Sequence, residues 1–91
     1  MNNNKIAIES LSMDLLRIAL GYHRGSITMA KRFTDEALKR VSEINVSEVK
    51  PYLAKILNNL PSILNNSDRV HTAEDALMYS IICKNYAKKF L

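Results

Sequence analysis

Apolar residues recur along this chain at intervals of three and four, and nowhere do they alternate residue by residue. Ile8, Leu11, Leu15, Ile18 and Tyr22 form one stripe, and Ala30, Phe33, Ala37, Val41 and Ile44 form a second. Val49, Leu53, Ile56 and Leu60 make a third, and Leu77, Ile81 and Ile82 anchor a fourth. This spacing lines each set along one side of a helix, and an apolar side must be buried against a neighbour. The sequence therefore predicts an all-α fold of four helices. With 91 residues the chain makes a single domain, 1–91, whose residues 1–4 are expected to fray.

Capping residues mark the helix ends. The only two glycines, Gly21 and Gly25, bracket Tyr22-His23-Arg24, which ends helix one near Leu20 after a start at Asn4 or Lys5. Ser26 is the natural N-cap of helix two, which runs to about Glu43 with Asp35–Lys39 and Glu36–Arg40 in the favourable acid-first order. Asn45 to Ser47 make the next turn, with Ser47 as the cap of helix three and Pro51 in or just beyond its first turn. The segment Ile56-Leu57-Asn58-Asn59 recurs seven residues later as Ile63-Leu64-Asn65-Asn66, with Pro61 between the copies. Proline removes a helical hydrogen bond and disfavours helix at the residue before it, so helix three should be kinked or broken at Pro61. Asn65 to His71 form the third connection, and Thr72 is the expected N-cap of helix four. Connections this short make successive helices antiparallel neighbours, an up-down-up-down bundle.

Composition narrows the function classes. A hydrophobic content of 47% excludes a disordered chain, and a net charge of +4 suits solubility without demanding an anionic partner. The one cysteine, Cys83, cannot form an internal disulfide and falls among small residues of helix four, where it reads as a filler. Met1 to Lys5 carry no apolar export segment, and Asp14 and Arg17 interrupt the one long apolar stretch, so neither export nor a membrane span is expected. A reduced, cytoplasmic setting follows.

The residues that could carry chemistry are few. Antiparallel order brings the first and third connections to one end, where His23, His71 and Asp75 make a candidate polar site with Arg24 and Arg69. Solvated loops account for the same residues more simply, since paired ligands at fixed spacing such as HxxxH, HExxH and CxxC are absent. Neither histidine has a Glu three residues before it, as bundle di-iron sites require. No catalytic, metal or cofactor site is therefore assigned, and the chain is read as no enzyme. For an anion or nucleic acid the candidates are Arg24, Arg69, Lys84, Lys88 and Lys89. The lysines can contact phosphate, but helix four offers little that would read bases.

The spacing of Gly25, Ala30, Phe33, Ala37 and Leu38 resembles the second helix of a tetratricopeptide hairpin over about twenty residues. The first-helix and closing-proline positions are unmatched, and no second copy follows at about 34 residues, so the resemblance implies helical-hairpin packing and nothing more. The leading expectation comes from helix four, whose apolar residues reach nearly all the way round. Met78, Ile82, Tyr86, Phe90 and Leu91 are the expected interface of a non-enzymatic bundle that associates with itself or with a larger protein. A central position for helix four inside the bundle would consume the same residues.

Overall fold

The computed structural model describes residues 3–91, with side chains from Asn4 onward. Four helices are present: α1 (Asn3–His23), α2 (Ile27–Glu43), α3 (Pro51–Leu64) and α4 (Arg69–Phe90), with a 3-10 turn at Val46–Glu48 between α2 and α3. The described residues contain no strand, and the all-α reading holds. The molecule measures 37 by 20 by 20 Å.

Side-chain size sets the packing. α1 lies close against both α2 and α4, whereas α3 approaches only α2 and α4 and sits across the core from α1. Close approach is made by small residues: Ala30 and Ala37 are buried on α2, and Ala73, Ala76, Ser80, Cys83 and Ala87 on α4. The wider space beside α3 is filled by Leu53, Leu57, Leu60 and Leu64, which face Ile8, Leu11, Leu15 and Ile18 within one core. The four core residues of α1 are fully buried, so α1 rather than α4 is the most enclosed helix.

Polar contacts pin the ends. The Asn4 amide donates to Asn45 O (3.3 Å) and to Glu48 Oε2 (3.3 Å), and its Oδ1 accepts the Asn45 N–H at 3.0 Å. These bonds tie the start of α1 to the end of α2. The Lys50 N–H donates to the Tyr86 hydroxyl at 2.9 Å, tying the start of α3 to the end of α4. At the other end, Tyr22, Ile27, Leu64 and Arg69 line one cleft.

Several boundaries differ from expectation. The fraying expected for residues 1 and 2 lies outside the described residues, but Asn4 is helical and buried because its side chain is bonded on three sides. α1 continues past Leu20 to His23, and Gly25 alone (φ +74°) makes the left-handed turn. Ser26 caps α2 as expected, accepting the Met29 N–H at 3.3 Å. Ser47 caps nothing; Asn45 caps the 3-10 turn, and α3 begins at Pro51 without a side-chain cap. Of the kink or break expected at Pro61, the break is not there. α3 runs through it to Leu64, because Pro61 stands one turn from the end, where little helix remains to be disrupted. α4 starts at Arg69 rather than after Thr72. Asp68 is its cap, accepting the His71 N–H at 3.1 Å, and Thr72 lies inside the helix with its hydroxyl donating to Asp68 O at 2.9 Å.

Among the described residues, Asp14 is the one buried acid. Burial lifts its carboxyl above the ordinary value of 3.8, outweighing Arg17, at 3.6 Å, and Arg40, which pull it down. A carboxyl raised in the folded state destabilises the fold while ionised, and the cost disappears as pH falls through the raised pKa. Asp14→Asn is therefore expected to melt above the native protein at neutral pH. The gain should vanish below the ordinary carboxyl range, as thermal melts across pH would show.

Candidate interaction surface

The large apolar residues of α4 point outward because the small ones are needed inward. Leu77 and Ile81, which the periodicity placed in the core, are 40% and 52% exposed. α1 carries a second apolar stripe beside its core stripe: Met13 is 52% exposed and Leu16 41%, with Leu20 one turn on. The two outer stripes meet. Glu9, Ser12, Met13 and Leu16 of α1 line one open groove with Leu77, Ser80, Ile81 and Lys84 of α4, enclosing about 380 Å³. Ser80 turns its hydroxyl back onto Leu77 O at 2.7 Å, so the groove floor presents little free polar capacity. Among the described residues, neither Glu9 nor Lys84 forms an ion pair. An apolar floor with an acid and a base on its walls can take up a complementary protein surface.

The residues expected at the α4 interface divide. Met78 and Phe90 are exposed at 46% and 40%. Ile82 is partly buried, and Leu91 packs against the core. Tyr86 is buried, its hydroxyl accepting the Lys50 N–H and its ring tilted against Phe90 and edge-on to Tyr52 at centroid distances of 5.0 and 5.9 Å. These aromatics make an intramolecular cluster, with the Lys50 and Lys89 ammonium groups over the Phe90 ring at 4.9 and 5.2 Å.

The basic candidates do not gather. Arg24 and Arg69 lie at the end shared by the close of α1 and the start of α4, whereas Lys84, Lys88 and Lys89 lie in the last turns of α4. Arg69 and Lys88 are about 28 Å apart along the helix, at 1.5 Å per residue. At the Arg24 end, His23 lines a cleft with Arg69, Val70, Ala73 and Glu74. His71 is absent from that cleft's lining and pairs with Asp75, Nε2 to Oδ2, at 3.3 Å. The two imidazoles thus share an end of the bundle, with His71 outside the cleft that His23 lines. Among the described residues, no group of three or more His, Cys, Asp or Glu side chains is placed to hold a metal. Burial pushes the Cys83 thiol up to about 12, leaving it protonated and unreactive at neutral pH.

Comparison with protein-family models, curated proteins and solved structures finds no match. Among the described residues, no helix is long and apolar enough to cross a membrane. The α1/α4 face escaped the sequence reading, although its signal was present. Met13, Leu16 and Leu20 follow three-four spacing off the line of the core stripe, as a two-sided helix does.

Proposed function

We propose that this protein is a non-enzymatic association module that pairs with a further copy of itself through the face shared by α1 and α4. The observation that supports the reading is the groove in which Met13, Leu16, Leu77 and Ile81 stand exposed together on two adjacent helices. Single exposed leucines are ordinary, but four large apolar side chains around one groove are the pattern of an interaction site. A symmetric dimer is the commonest use of such a face. A reducing, cytoplasmic setting suits the module, since its one thiol is buried and protonated.

Sedimentation equilibrium from low to high micromolar concentration tests this. The native protein should shift toward twice the monomer mass. Leu77→Arg combined with Ile81→Arg should weaken self-association by about a hundredfold, since two desolvated apolar contacts are replaced by charges. Both positions are exposed, so helix content by circular dichroism should be unchanged. A native protein that stays monomeric throughout removes the proposal. The basic residues are spread between opposite ends of α4, and no observation favours an anion- or nucleic-acid-binding reading above this one.

A further inference from the structure

We propose a second site, independent of the pairing face, that takes a base of single-stranded nucleic acid. It is the cup where the start of α3 meets the end of α4. Tyr52 of α3 lines it with Ile82, Asn85, Tyr86, Lys89 and Phe90 of α4, enclosing about 290 Å³. That volume stands near the lower end of small-ligand sites and suits one flat ring. The cup and the α1/α4 groove have no lining residue in common, so the two sites do not compete for side chains.

The rings give the cup its chemistry. Tyr52 is 49% exposed, and it meets Tyr86 edge-on rather than stacked, which leaves ring surface for a base. Phe90 is 40% exposed and carries the Lys50 and Lys89 ammonium groups within 4.9 and 5.2 Å of its centre. Asn85 supplies the one side-chain amide of the lining, a group that both donates to and accepts from a base edge.

Charge supplies the rest. Residues 49–67 and 76–91, which build this side of the molecule, hold five lysines and no acid. Lys55 follows Tyr52 by three residues and shares its side of α3, so Lys50, Lys55 and Lys89 surround the cup. Among the described residues, none of the three forms an ion pair. Glu48, the acid nearest to Lys50 along the chain, has its carboxylate held by the Asn4 and Asn45 amides at 3.3 and 3.2 Å. The negative end of the α4 dipole is offset by the positive start of α3 beside it. An acidic peptide would use the lysines and leave the rings idle, and a bilayer takes protruding apolar groups rather than a hollow. Rings, an amide and a cationic margin together meet the needs of an unstacked base with its phosphates. The α4 lysines alone offer only phosphate contacts; Tyr52 adds the ring they lack.

Fluorescence anisotropy with short labelled oligothymidylate and oligouridylate tests the site, at protein concentrations below self-association. Three phosphate contacts predict that log K falls with log salt at a slope of about −2. Lys55→Gln should make that slope shallower by about 0.7. Tyr52→Leu should weaken binding by about tenfold, whereas Tyr52→Phe should stay within about twofold, because the ring and not its hydroxyl makes the stack. Tyr52 and Lys55 are exposed, and leucine keeps an apolar contact with Tyr86, so helix content by circular dichroism should be unchanged. Absence of strand binding at low salt overturns the proposal, as does a Tyr52→Leu protein that binds like the native one. Polyglutamate or phosphatidylserine vesicles bound as tightly as the strands would equally overturn it, leaving a plain cationic patch. Uridine monophosphate should bind at least about tenfold more weakly than the strand, since it brings one phosphate. Equal affinity would rule out the strand in favour of a free nucleotide.

Discussion

Replacing Gly21 by valine should lower the melting temperature well below that of the native protein, and even alanine there should be costly. A Cβ at Gly21 would sit 2.9 Å from the Ala30 N, 3.1 Å from its Cα and 3.2 Å from its Cβ. Two of those three atoms are backbone, so relief requires α1 and α2 to move apart. Alanine contributes about 1 kcal/mol over glycine in a helix interior, but forcing extra atoms into a packed crossing costs about 1–3 kcal/mol. Gly21→Ala should therefore lose about 1 kcal/mol net, and Gly21→Val about 3 kcal/mol or more, since its branched side chain also lacks the helix preference of alanine. A domain of this size holds roughly 5–10 kcal/mol in total. Each kcal/mol lowers the melting temperature of such a domain by about 4–8 °C, so thermal melts would resolve both variants. A Gly21→Ala protein that melts at or above the native temperature would show that the crossing has slack.

The second large effect lies on the opposite side of the core. Leu57 is fully buried on α3, the helix that keeps its distance from α1 and is held by large side chains. Leu57→Ala should open a cavity that the neighbouring leucines cannot close, at a cost of about 3 kcal/mol. Leu16→Ala is the matched control. Leu16 is 41% exposed on the α1/α4 face, and truncating it in the monomer should cost about 0.5 kcal/mol. Equal losses at the two positions, from denaturant titration below the concentration of self-association, would mean that Leu16 belongs to the core.

That contrast marks how far the sequence could be read. The helix count and the extent of α2 followed from periodicity, Gly25 and Ser26, because each of those signals acts within a few residues. The start of α4 did not, since Asp68 and Thr72 are both capping types. Only packing reveals that Thr72 is turned inward and bonded back to Asp68 O. Pro61 gave a break signal that its place in the last turn of α3 made ineffective. The larger misreading concerns α4. Leu77 and Ile81 have the spacing of core residues, but Ala73, Ala76, Ser80 and Cys83 occupy the side that meets α1. Periodicity finds the stripes on a helix without saying which one faces inward. That choice belongs to the closest neighbour, and a close neighbour selects small residues. The candidate polar site shows the same limit: its residues do reach one end of the molecule, but His71 stands outside the cleft that His23 lines and pairs with Asp75.

The bonds from Asn4 to the Asn45–Glu48 turn, with the Lys50–Tyr86 bond, have a consequence for anything joined to this chain. They bring Asn4 and the last turn of α4 to the same pole, away from the middle of the apolar face. Cargo joined near either of these two ends would leave the molecule at that one pole, and the apolar face would stay uncovered.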